Sequence, residues 1–194
     1  MANRSLLAAL ALWVAAVLTG FGALAVYSQA AGPQREPTSL LADDHPESGW
    51  RLVMAIHPKC ACSRASLAEL ERLLLRWREQ LRCEVFVYQP VDAPDDWSDT
   101  ATARLANQLA EGGARTDPGG KEATSLGILT SGGVILYDSS GTPRYHGGLT
   151  PSRSHEGPSL ATEAINSLLA GQKPAVTHRP VFGCRIVNEE APQQ

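Results

Sequence analysis

No block of lysine or arginine occurs anywhere in the 194 residues, and 17 basic against 20 acidic side chains leave a net charge of −3. Such a chain has no electrostatic footprint for nucleic acid, and none is expected as a partner. Charge is missing altogether from residues 6–27. Periodicity is missing from residues 28–48, where Pro, Glu, Asp, Ser and Gly replace it. Cysteine is scarce as well, at 4 in all, so any sulfur chemistry rests on Cys60, Cys62, Cys83 and Cys184.

The uncharged stretch at 6–27 would rise about 33 Å as a helix, enough for a hydrocarbon core of about 30 Å. Arg4 precedes it and the remainder of the chain follows. This asymmetry predicts a cytoplasmic N-terminus at residues 1–5, a single-pass inner-membrane anchor, and an extracytoplasmic, periplasmic C-terminal part. A cleaved signal peptide is the competing reading, because Ser28-Gln29-Ala30 supplies small residues for a peptidase. The apolar run exceeds the usual h-region of about 7–15 residues, which favours the retained anchor. Residues 28–48 read as a flexible linker spanning roughly 25 Å.

The remainder is organised around a stretch that opens with Arg51-Leu52-Val53-Met54-Ala55-Ile56, an apolar, bounded run suited to a buried strand. The chain turns at His57-Pro58-Lys59-Cys60-Ala61-Cys62-Ser63. It continues as an amphipathic helix with Leu67, Leu70, Leu74, Trp77 and Leu81 on one side and Glu69, Arg72, Arg76 and Glu79 on the polar side. Ser63 is its candidate cap. A strand thus delivers two thiols to a helix start, whose unpaired N–H groups and dipole favour the thiolate.

Cys83-Glu84-Val85-Phe86-Val87-Tyr88 predicts a second strand, and the crossover makes a right-handed parallel βαβ unit. Residues 95–110 form a weaker second helix, and Gly112 to Gly120 break all pattern and read as an exposed loop. Residues 126–137 and 143–146 predict a hairpin around Asp138-Ser139-Ser140-Gly141. A last helix covers residues 160–169. The domain is expected over 49–171, followed by a tail at 172–194 that carries Cys184 and can reach roughly 43 Å at about 3.3 Å per residue. Cys83, opening an apolar strand, is expected buried and inert.

This order, β-α-β-α-β-β-α with a dicysteine after the first strand, resembles the thioredoxin-like superfamily: an α/β fold whose central mixed sheet of about four strands is flanked by helices. Within it, His57-Pro58-Lys59-Cys60-Ala61-Cys62, Thr130-Ser131-Gly132, residues 147–157 and the terminal Phe182-Gly183-Cys184 resemble the bacterial RedB-type family. The resemblance implies that Thr130, Arg153 and His155 neighbour the cysteines. Thr130 stands where most members carry a proline that helps bind extended thiol substrates and keeps metals away. The Cys-Ala-Cys spacing, one residue short of the usual, implies a tight and easily reduced disulfide.

Two classes of function follow. As a thiol-disulfide oxidoreductase acting on an exported thiol or disulfide protein, the chain would use Cys60, Cys62 and Cys184 as catalytic sulfurs and no cofactor. His57, Thr130, Arg153 and His155 would support them; His57 either raises the thiolate fraction or bonds the turn. As a carrier of Cu(I), or of zinc, it would use Cys60, Cys62, His57 and Cys184 as ligands, in the manner of exported SCO-type copper chaperones, whose cysteines are spaced further apart. A thioredoxin-like interaction domain stapled by inert cysteines is a third reading.

Overall fold

The computed structural model of the chain describes residues 2–40 and 49–186. It comprises two compact units, one ending at Ala30 and one beginning at Ala31. The first is a single helix, α1 (Ala2–Gln29). An 18-residue window within Asn3–Gln29 has a mean hydropathy of 2.2, so the helix is long and apolar enough to cross a membrane. Two of its hydroxyls bond within the helix, Thr19 to the Ala15 carbonyl and Ser28 to the Ala25 carbonyl, both at 2.8 Å.

The second unit is built on a six-stranded sheet. In chain order its elements are β1 (Trp50–Ile56), α2 (Ala61–Trp77), β2 (Leu81–Gln89), a 3-10 turn at Asp95–Ser98, α3 (Ala101–Leu109), β3 (Arg115–Pro118) and α4 (Lys121–Leu126). There follow β4 (Gly133–Tyr137), β5 (Pro143–Gly148), α5 (Leu160–Leu169) and β6 (His178–Arg179). The strand order is β3-β2-β1-β4-β5-β6. β1 runs parallel to β2 and antiparallel to β4, and β4 and β5 form the expected hairpin. This is the thioredoxin-like arrangement, in which β1 is central and buried on both faces.

Alternate residues of β1 feed two cores. Leu52, Met54 and Ile56 pack with Leu67, Leu70 and Leu73 of α2, Ala106 of α3, and Ala161, Ala164 and Ile165 of α5. Val53 and Ala55 pack on the opposite face with Phe86, Tyr88, Ala123 of α4, Ile135, Tyr137 and Ile186. A strand buried on both sides reads as an unbroken apolar run, and Leu52 to Ile56 is one. Cys83 is buried in the first core, as expected.

Several expectations are corrected. The sheet has six strands, not about four, because two short edge strands carry no hydrophobic alternation. β3 lies inside the stretch read as an exposed loop and pairs in parallel with β2 from Phe86 to Gln89. Its Asp117 is wholly buried and accepts the N–H groups of Glu122 and Ala123 at 3.0 Å, which starts α4. α2 ends at Trp77, and Leu81 begins β2 opposite Trp50. The stretch 95–110 is a 3-10 turn and then α3, capped by Thr100, whose hydroxyl accepts the Ala103 N–H at 3.1 Å.

Residues 31–40 belong to the domain and are no free tether. Gly32 donates to the Val181 carbonyl at 2.8 Å, Thr38 to Leu126 at 3.2 Å and Leu40 to Gly141 at 3.1 Å. The Tyr137 hydroxyl donates to the Thr38 carbonyl at 3.0 Å, and Leu40 packs on the second core. Backbone bonds, the hydroxyls of Thr38, Thr130 and Tyr137, and one leucine hold this segment, and none of these leaves a periodic trace in sequence. Residues 41–48 of the expected linker, and the end of the tail beyond 186, lie outside the described residues.

The outer edge is closed by β6, in parallel register with β5 at His146 and His178, whose rings lie 4.5 Å apart. Gly147 makes this approach possible: at φ 135° a side chain there would be strained, and a Cβ would run into the Arg179 backbone. Burial first, and then the His178 ring, hold His146 below the ordinary imidazole value, against Glu36, which acts the other way. The folded chain therefore takes up this proton less readily than the unfolded one. Stability should be unaffected by this group above the unfolded value of about 6.5 and should fall as pH drops through it. Urea denaturation at about pH 7.5 and pH 5.5 should show the loss, and a smaller one in His146→Asn; equal losses would remove the pair as the cause.

Candidate functional site

The turn after β1 is fixed from beneath by two buried serines. The Ser131 hydroxyl accepts the His57 N–H at 2.8 Å and lies 2.6 Å from the Ser63 hydroxyl, which donates to the His57 carbonyl at 2.8 Å. Ser63, read from sequence as the helix cap, is instead spent on this network. The N-cap position of α2 is Cys60, in extended conformation at φ −97°. Its sulfur does not cap the helix in ordinary geometry, but the N–H dipoles of Ser63 and Cys62 are directed at it.

The tail returns over this point. Cys184 accepts the Ser131 N–H on its carbonyl at 2.8 Å, Ile186 donates to the Leu129 carbonyl at 3.0 Å, and Thr130 and Arg185 form an antiparallel bridge. Gly183 lies so close that a Cβ there would fall on the Ser131 carbonyl oxygen. This strap brings Cys184 to Cys60. All four cysteines are free thiols, and Cys60 and Cys62 keep only 4% and 6% of their surface while Cys184 is exposed. The accessible dicysteine expected from sequence is thus buried: the tail meets Cys60, and the Ser154 loop meets Cys62.

The electrostatics separate the two facing sulfurs. Burial alone would push Cys60 up, but the thiol and backbone N–H of Cys184, with the N–H dipoles of Ser63 and Cys62, outweigh it and hold Cys60 below the ordinary thiol value. Cys184 is pushed up to about 11, by burial of its sulfur first, then by its bond to Cys60 and the charge of Cys60 and Cys62, with Arg153 opposing. The residue as a whole is exposed, yet its sulfur faces inward. The arrangement favours loss of the proton from Cys60 over loss from Cys184.

Of the supporting residues, Arg153 reaches the strap, donating to the Gly183 carbonyl at 3.2 Å. Thr130 is buried in the strip beneath the strap, but its hydroxyl donates to the Pro33 carbonyl at 2.7 Å, away from the sulfurs. His57 bonds the turn: its Nδ1 accepts the Lys59 N–H at 3.2 Å, and its ring stacks on Tyr88 with Trp97 edge-on. Burial foremost, with Lys59 adding, keeps it below the ordinary imidazole value despite a backbone bond. His155 is exposed, and its described bond is the backbone one to Ser152 at 3.3 Å. Among the described residues no three His, Cys, Asp or Glu side chains are gathered as a metal ligand set, so the set Cys60, Cys62, His57 and Cys184 is not assembled here.

Two contributors carried no readable signal. Ser154, whose φ is 53°, sets its hydroxyl 3.3 Å from the Cys62 sulfur. Glu69, assigned from helical spacing to the polar face of α2, is 3% exposed and accepts the Gly157 N–H at 2.6 Å while pairing with Arg72. Arg72 also reaches Glu156 at 3.0 Å. This cluster pins the loop that carries Arg153 and Ser154.

No family model matches the chain, and no curated protein matches it either. Among solved structures, an uncharacterised conserved protein from Geobacillus kaustophilus aligns at 19% identity over 84% of this chain and 94% of that one, with a TM-score of 0.60. A hypothetical protein from Sinorhizobium meliloti aligns at 18% identity over 84% and 97%, also at 0.60. A thioredoxin-like superfamily protein aligns at 12% identity over 74% and 98%, at 0.46. At these identities the first two likenesses concern the fold alone.

Two outcomes test the site. Cys184→Ala should move the Cys60 titration upward, read by thiolate ultraviolet absorbance or alkylation rate against pH; an unmoved titration would show that the facing thiol does not hold the charge. Ser131→Ala leaves the His57 N–H without its partner and should cost about 1–3 kcal/mol in chemical denaturation.

Proposed function

We propose that this chain is a membrane-tethered thiol-disulfide exchange protein whose working pair is Cys60 and Cys184. The observation that carries this reading is the bonded pair itself: one sulfur at the start of α2, held below the ordinary thiol value, and a second sulfur against it that keeps its proton more readily. The apolar α1 with Arg4 in its first turn, and the resemblance of the cysteine turn and tail to the RedB-type family, support a tether with the domain on the extracytoplasmic side, facing exported protein partners.

In the reducing direction the Cys60 thiolate attacks one sulfur of a partner disulfide. A mixed disulfide to Cys60 forms, and the partner's other sulfur leaves as a thiolate. Cys184 then gives its proton to that thiolate and attacks the Cys60 sulfur, which breaks the mixed disulfide and frees the second partner thiolate. The partner gains two electrons, and the chain ends with a Cys60–Cys184 disulfide. A dithiol partner runs the steps in reverse. Cys62, bonded to Ser154, is the third sulfur within the centre and can resolve the mixed disulfide in place of Cys184.

The full chain in detergent, assayed by insulin reduction with a dithiol reductant, should turn over. Cys60→Ser should fall to background, and the double variant Cys62→Ser/Cys184→Ser should accumulate a mixed disulfide at Cys60 detectable by peptide mass mapping. Oxidised glutathione should link Cys60 to Cys184. Full turnover in Cys60→Ser would end this reading.

A further inference from the structure

Two sulfurs are available to resolve a mixed disulfide at Cys60, and consecutive side chains of one loop engage them. In the loop that links β5 to α5, Arg153 donates to the carbonyl of Gly183, directly before Cys184, while the Ser154 hydroxyl lies 3.3 Å from the Cys62 sulfur. The loop is tied to α2 as well, through Glu69, which accepts the Gly157 N–H at 2.6 Å, and through Arg72, which meets Glu156 at 3.0 Å. Among the described residues Ser154 is the only one other than glycine with a positive φ. A side chain is rarely carried in that conformation, and here it places a hydroxyl on a sulfur.

A cysteine sulfur turns on a single torsion with three staggered positions, so one hydrogen bond is enough to select among them. Cys62 is buried in the first turn of α2, and its sulfur is turned to Ser154. Cys60 is bonded instead by the thiol of Cys184.

We propose that Ser154 is a positioning residue that selects the resolving sulfur: by retaining Cys62, it assigns the second step of exchange to Cys184. Whichever sulfur acts, it attacks the Cys60 sulfur, the bond from Cys60 to the partner breaks, and the partner leaves as a thiolate that takes the attacking thiol's proton. The bridge left on the chain differs. It is Cys60–Cys184 with Ser154 engaged and Cys60–Cys62 with Ser154 removed. The inference rests on the exchange reading for its purpose, but the choice between sulfurs can be read without turnover.

Diamide tests it in the full chain in detergent, because this oxidant joins two thiols without a protein partner. The Cys60 thiolate adds to its N=N bond, and a second cysteine attacks the Cys60 sulfur and releases the hydrazine, which carries away both protons. Acid quenching at the shortest times, followed by peptide mapping, gives the ratio of the Cys60–Cys62 bridge to the Cys60–Cys184 bridge. The unmutated chain should form chiefly Cys60–Cys184. Ser154→Ala and Ser154→Gly should each raise the ratio by about fivefold, the worth of one ordinary hydrogen bond. The two variants act oppositely on the backbone, since alanine keeps the left-handed strain and glycine removes it. A rise in both therefore belongs to the hydroxyl.

An unchanged ratio in both variants, or a rise in only one folded variant, would overturn the proposal. So would an unmutated chain that forms chiefly Cys60–Cys62 or no bridge to Cys60. Alkylation of Cys83, which is sealed in the core, reports unfolding; if Ser154→Ala unfolds, Ser154→Gly decides. A raised ratio without insulin turnover counts against exchange alone, and turnover with an unchanged ratio counts against the role of Ser154 alone.

Discussion

The clearance between Gly183 and the Ser131 carbonyl governs the arrangement of the sulfurs. A single Cβ at 183 would strike backbone, which cannot yield as a flexible side chain can. With that clearance, the tail lies flat on residues 129–131, Cys184 meets Cys60, and the N–H groups of two separate segments converge on one sulfur. The opposed behaviour of Cys60 and Cys184 follows from contact made by a chain end more than a hundred residues away in sequence.

Beneath that contact lies a small set of buried polar groups, each with its partners supplied. Ser131 and Ser63 fix the His57 turn, Asp117 starts α4, and Glu69 ties α2 to the loop beside Cys62. Burying a hydroxyl or carboxylate is unfavourable unless its bonds are made, so each of these residues fixes one geometry. The apolar core makes the sheet stable; these groups set where the loops around the sulfurs lie. Such a division explains why the site is assembled from loops and a strap while the strands beneath it remain ordinary.

The fold was legible where burial leaves a pattern. β1 shows as an unbroken apolar run, the hydrophobic side of α2 as leucine spacing, and the β4–β5 hairpin as two apolar runs around an Asp-Ser-Ser-Gly turn. Elements held by backbone bonds were illegible: β3 and β6 at the sheet edges, residues 31–40 along its face, and the six-residue α4. Cys60 and Cys62 could be placed at a helix start from sequence. Their covering could not, because the tail's length allowed a crossing without stating its course. Glu69 misled for a related reason: helical spacing sorts residues into faces, but a loop can close over a polar face and bury it.

Cys83 sits opposite Leu52, near the beginning of β1, whereas the other three cysteines gather beyond the end of that strand. The gathered sulfurs are therefore odd in number. Any single internal bridge they form must leave one of them unbridged. Closing one bridge among the three therefore always leaves a reduced sulfur in the same neighbourhood.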